Sequence, residues 1–165
     1  MNLFYSENPP AFHRAAWYGL IFRWYGADAA GNIAIFETGE QTVPKAVFFD
    51  ESAYRDVDVF FRSLPQITTA EISNAVKRLR TASGNPVNPS SWLEEAGKGL
   101  FYIDEIDAHV ENEYLYGYYL TAIPCEKLNV SDLPEKIKHL LSPYRFPVAF
   151  ADIEKIDVTK YFECD

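Results

Sequence analysis

The chain has 165 residues, 48% of them hydrophobic, and a formal net charge of −9. That length suits one domain with one ordinary core. The charge argues against nucleic acid as a partner, because gripping phosphates takes clustered Lys and Arg, and it suits a basic protein instead.

Residues 1–16 contain Pro9-Pro10 and read as an extended lead-in without the basic-then-apolar pattern of a secretory signal. Residues 17–25 are aromatic and poor in helix formers, which predicts a strand. Asp28 and Gly31 make the following turn, Asp28 by folding back on the backbone and Gly31 by taking positive φ. The chain returns as a strand over 32–38, with Ile33, Ile35 and Glu37 alternating against Ala34, Phe36 and Thr38. A second turn at 39–44 leads to a short third strand at 46–49.

Asp50 is positioned to cap a helix over 51–64, with Tyr54, Val57, Phe60, Phe61 and Leu64 on one stripe and Pro65 as its stop. Thr68 and Glu71 have capping-box spacing, and Ile72, Ala75, Val76 and Leu79 follow at i, i+3, i+4, i+7, which predicts a second helix ending near Gly84. A short helix at 92–96 comes next, then a strand at 100–103, an acidic connection, and a longer strand at 114–123. Asp132 is read as the cap of a helix over 133–141, and 146–150 as a last strand. Strands, then helices, then strands again predict a single α+β domain over 1–165: a mainly antiparallel sheet with three to four helices.

Chemical motifs are scarce. His13, His109 and His139 have no metal-pair spacing, and no phosphate loop, nucleophile elbow or calcium loop is present. No catalytic residue, cofactor site or metal site is therefore assigned. Cys125 and Cys164 lie far apart with no CxxC pair, which predicts a reducing compartment. Arg23 interrupts the best apolar run, so no membrane span and no membrane partner are expected. Lys77, Arg78 and Arg80 fit the C-terminal end of the second helix better than a nucleic-acid site.

The most distinctive patch is acidic. Residues 94–113 hold seven acidic side chains against Lys98 and carry −6 of the net −9. The strand that follows sets Tyr114, Tyr116 and Tyr118 on one face, and Leu115 and Tyr119 on the other. Asp104, Glu105, Asp107, Glu111, Glu113, Tyr114, Tyr116 and Tyr118 are accordingly the candidate partner-binding residues, because an acidic rim beside tyrosines matches a basic protein surface. The competing reading is a charged loop leading into an ordinary strand.

Two blocks carry a resemblance. The first holds Gly19-Leu20-Ile21, Trp24-Tyr25, Asp28, Gly31-Asn32-Ile33-Ala34, Phe36, Thr38-Gly39 and Val43-Pro44-Lys45; the second holds Gly99-Leu100-Phe101-Tyr102, Asp104, Pro124, Leu128, 131–135 and Ile137. Together they resemble small bacterial immunity proteins found beside contact-dependent growth-inhibition and polymorphic toxins. The chain departs from that pattern at Tyr25, where a Phe is common, and in the long acidic stretch before Tyr114. The blocks are turn glycines, strand aromatics and a helix cap, so they identify a scaffold and transfer no active site.

The resemblance implies a cytoplasmic, non-enzymatic protein that neutralises the C-terminal effector domain of a cognate secreted toxin, with a basic nuclease as the expected effector. Two alternatives stay open: an SMI1/KNR4-like regulatory binding module, and an enzyme using the 104–113 carboxylates as general acid and base. A homodimer also stays open, since a sheet edge can pair with its own copy.

Overall fold

A computed structural model describes residues 10–165; the first nine residues of the expected lead-in lie outside the described residues. Four helices and a six-stranded mixed sheet form an α+β fold. The helices are α1 (Arg14–Trp17), α2 (Glu51–Ser63), α3 (Ser90–Ala96) and α4 (Glu135–Leu141). The strands are β1 (Phe22–Ala27), β2 (Ile33–Thr38), β3 (Ala70–Ile72), β4 (Phe101–Val110), β5 (Glu113–Pro124) and β6 (Lys155–Ile156). Their order is β1-β2-β4-β5-β3, with β6 also on β5. Among the strands of the described residues, only β2 and β4 pair with each other in parallel; the other strand–strand pairings are antiparallel, which fits the mainly antiparallel sheet that the sequence predicts.

The β1–β2 hairpin closes on Asp28, which is fully buried. Its carboxylate accepts from the amides of Ala30 and Asn32 at 3.0 and 2.8 Å, and from the distant Phe150 amide at 3.0 Å. Gly31 takes φ of +86°, and a Cβ there would stand 2.7 Å from Asn129 Oδ1. The turn is thus a tie between the hairpin and the C-terminal segment as well as a reversal. Asp28→Ala is expected to cost about 2 kcal/mol, because it orphans the buried Phe150 amide and two half-buried turn amides at once. A urea midpoint unchanged from the parent would refute that role.

The sheet separates two cores. One face carries Trp17, Phe22, Trp24, Phe36, Phe101, Tyr118, Phe146 and Phe150. Trp24 stacks on Phe36 at 4.1 Å between centroids, and Phe36 on Phe146 at 5.3 Å. The other face packs Tyr25, Ile35, Tyr102, Ile106 and Leu115 together with Val57 and Phe61 of α2, Trp92 of α3, and Ile137 and Leu141 of α4. The first predicted helix holds as α2: the Asp50 side chain accepts from the Ala53 amide at 3.0 Å, and the chain leaves the helix at Leu64, before Pro65.

Several elements depart from the sequence reading. Residues 14–17 form a helical turn capped by His13, so the first strand begins at Phe22 instead of residue 17. The expected strand at 46–49 is a 3-10 turn (Lys45–Phe48), because Pro44 starts it and the chain must swing at once into α2. The expected helix after Thr68 is replaced by β3 and a run of turns. Ser73 donates its amide to the Thr121 carbonyl at 2.8 Å and its hydroxyl to the Leu120 carbonyl, which ties this segment to β5. The Thr68 hydroxyl oxygen accepts from the Glu126 amide instead of capping a helix. The apolar spacing is still used: Ala75, Val76 and Leu79 are buried.

The acidic connection is no loop, because β4 runs on to Val110 and β5 begins at Glu113. Asp132 does not cap α4; it accepts from the Asn129 amide inside a separate capping box, and α4 starts after Pro134. No strand forms at 146–150. Phe146 donates once to the Ala27 carbonyl at 2.8 Å, then the chain enters a 3-10 turn (Phe150–Asp152).

Candidate functional site: the β4–β5 hairpin

Strict alternation along β4 explains the hairpin. Ile106 and Val110 turn into the helix-side core, while Asp107 and His109 turn to solvent on the opposite face. Cross-strand register sets Asp107 opposite Tyr116 and His109 opposite Tyr114. Leu115 is buried between two exposed tyrosines, Tyr114 at 51% and Tyr116 at 43%. The Tyr114 and Tyr116 rings stack at 6.0 Å, and His109 lies 4.7 Å from Tyr114. Tyr114 donates its hydroxyl to Asp107. That bond raises the phenol's pKa to about 12. The Tyr114 ring is thereby held in place at the surface, which lowers the entropy lost when a partner covers it.

The eight sequence-predicted residues fall into three groups. Asp107, Glu111, Glu113, Tyr114 and Tyr116 are exposed together on the hairpin. Glu111 sits in the turn with φ of 55°, and Glu113 pairs with Arg78 at 3.2 Å. Tyr118 is only 2% exposed; it donates to the Thr42 carbonyl and accepts from the Trp24 indole, so it is a core residue and not part of the open surface.

Asp104 and Glu105 form the third group, and each is used internally. Glu105 Oε2 accepts from the Thr38 hydroxyl and the Gly39 amide at 2.6 Å each, and from the Glu40 amide at 2.9 Å. Burial pushes this carboxyl up, but the hydrogen bonds from Thr38, Glu40 and Gly39 outweigh it and hold the pKa below the usual glutamate value. Asp104 points to the opposite face, where Trp92 Nε1 donates to it at 2.7 Å. Burial first, and then the neighbouring Glu37 carboxylate, raise its pKa to about 7.

Asp104 borders a polar layer that the sequence reading missed. Arg23 is 9% exposed and donates to Glu37 at 2.8 Å and to Glu95 at 3.2 Å. Lys98 donates to the same Glu95 oxygen at 3.2 Å, and Glu37 is the register partner of Asp104. The signal was present: Glu37 shares its face with the inward-facing Ile33 and Ile35, and Arg23 interrupts an apolar strand.

Two clefts share Gln41, and the first of them reaches Tyr116 and Gly117 of the hairpin. One of about 450 Å³ is lined by Gln41, Thr42, Tyr116, Lys155, Asp157 and Lys160. The other, of about 550 Å³, is lined by residues that include Arg14, Tyr18, Glu40 and Gln41. Among the described residues, no group of three or more His, Cys, Asp or Glu side chains is placed to hold a metal ion. No described helix is long and apolar enough to cross a membrane. Comparison of the chain with family models, curated proteins and solved structures finds no match.

Proposed function

We propose that this protein is an immunity protein. It binds the C-terminal effector domain of a cognate secreted toxin in the cytoplasm and neutralises it by occlusion, without catalysis. The observation that carries the docking surface is the exposed Tyr114–Tyr116 pair, set beside Asp107 and Glu111 in a chain of net charge −9. Tyrosines are frequent anchors of protein interfaces, and an acidic surround speeds association with a basic domain. A nuclease effector is basic where it grips phosphate, so the same surface would cover its substrate groove.

The test is co-expression with the toxin domain encoded next to this gene, followed by titration of the purified pair. The parent is expected to protect cells and form a complex whose affinity falls with salt. Tyr114→Ala/Tyr116→Ala is expected to weaken the complex at least tenfold, consistent with about 1–2 kcal/mol for an anchoring ring. Neither protection nor a complex with the parent would end the immunity reading. Full affinity in the double variant would move the docking surface elsewhere.

One observation favours the enzyme alternative: Asp104 has a pKa of about 7 beside a second carboxylate, as a general acid requires. It ranks lower because Asp104 is engaged by Trp92, and neither of the two clefts that share Gln41 is lined by Asp104 or Glu37.

A further inference from the structure

The β4–β5 hairpin outruns the rest of the sheet. β2 pairs with β4 only at residues 101–104, and β6 meets β5 only at Tyr118 and Tyr119. Among the described residues, β4 and β5 beyond those points pair only with each other, up to Val110 and Glu113. The chain that leaves β2 does not continue alongside β4. It folds over Glu105, toward the face where Tyr118 donates to Thr42.

Which backbone groups face outward follows from one residue. Leu120 sends its amide to the Glu154 carbonyl at 3.0 Å and receives Ser73 on its carbonyl, both on the side away from β4. Antiparallel ladders alternate, so bonded pairs fall at every second register position. Counting along the register from Leu120, the pairs Asp104–Tyr119, Ile106–Gly117, Ala108–Leu115 and Val110–Glu113 carry the ladder. The N–H and C=O groups of Asp107 and His109 therefore point out from the free edge of β4, and those of Tyr114 and Tyr116 from the edge of β5.

The two edges differ in charge. The β5 edge adjoins the cleft lined by Lys155 and Lys160. The β4 edge carries Glu105 and Asp107, and Glu111 stands at its tip. We propose that the free edge of β4 at Asp107–His109 captures an extended, basic segment of the partner by strand addition. Main-chain bonds to Asp107 and His109 supply the grip, and Lys or Arg side chains two residues apart match the carboxylates. A second copy of this chain fits the same edge poorly, because an antiparallel pairing centred on His109 sets Asp107 against the copy's Glu111, and one centred on Ala108 sets Glu105 against it. The inference rests on the docking reading above and adds its mode of recognition.

The probe is a capped hexapeptide, Lys-Val-Lys-Val-Lys-Val, at low salt, with two isomers N-methylated on the lysines or on the valines. Strand addition uses every second peptide amide. One methylated isomer is expected to bind like the parent peptide, and the other at least tenfold more weakly. Amide exchange at Asp107 and His109 is expected to slow on binding, with Tyr114 and Tyr116 unchanged. His109→Pro removes an outward amide and no ladder bond, and is expected to weaken binding at least tenfold.

Equal weakening by both isomers, protection on the β5 edge, or no binding of the unmethylated peptide overturns the proposal. So does concentration-dependent self-association that protects Asp107 and His109 in the protein alone. The peptide result is independent of any toxin. A toxin complex that depends on Tyr114 and Tyr116 but leaves the Asp107 and His109 amides freely exchanging overturns the edge and keeps the docking surface.

Discussion

Arg23→Ala is expected to destabilise the fold severely, costing about 3–5 kcal/mol and lowering the thermal midpoint by roughly 10 °C. Arg23 lies beneath the helix layer and bridges Glu37 on β2 to Glu95 on α3. Removing it leaves two carboxylates at 21% and 22% exposure without their shared cation, and Glu95 with Lys98 alone. The loss measures the stranded charges more than the worth of the original bridges. Replacing the pair together separates these contributions: Arg23→Met/Glu37→Leu is expected to recover much of the loss, because both charges go and apolar volume returns. Guanidinium melts of the three proteins decide the matter. A single variant within 1 kcal/mol of the parent would show that water reaches this layer freely.

What the sequence made legible divides along physical lines. Features set by neighbours in the chain were readable: the Asp28 turn, the Asp50 cap and the α2 stripe each need only a few adjacent residues. The helix expected after Thr68 failed because its apolar spacing was real but its first turn was claimed by Ser73 bonding to β5, nearly fifty residues further on. Charge density concealed β4. The run Ile106, Ala108, Val110 against Asp107 and His109 has the period of a strand, but the acidic residues around it read as a solvated loop. The candidate surface survived that error in part. Asp107, Tyr114 and Tyr116 are exposed whether the segment is loop or strand, whereas Asp104, Glu105 and Tyr118 depend on partners that only the fold supplies.

Asp104 and Glu105 are adjacent in sequence, yet their charges are expected to act on stability in opposite directions, because alternation sends them to opposite faces of the sheet. The Asp104 carboxyl has a pKa of about 7 in the fold against an ordinary 3.8. Between those values the folded state holds a proton that the unfolded state has released, so stability falls as pH rises from about 4 to about 7 and is level above. Asp104→Asn keeps an acceptor for Trp92 and cannot ionise. It is expected to stabilise the protein at pH 8 by on the order of 2–4 kcal/mol, roughly 5–10 °C in thermal midpoint, with the gain vanishing near pH 4. Glu105 has its pKa lowered by the donors of the loop after β2. Its contribution is present above the ordinary glutamate value and is lost as pH falls below it, so Glu105→Gln is expected to destabilise at pH 7 and to converge on the parent in acid. Thermal melts of both variants from about pH 2 to about pH 8 test the pair, because the Glu105 window lies below the ordinary glutamate value of 4.5. Parallel curves, or an Asp104→Asn gain that persists at pH 4, would mean that these carboxylates do not feel the two faces differently.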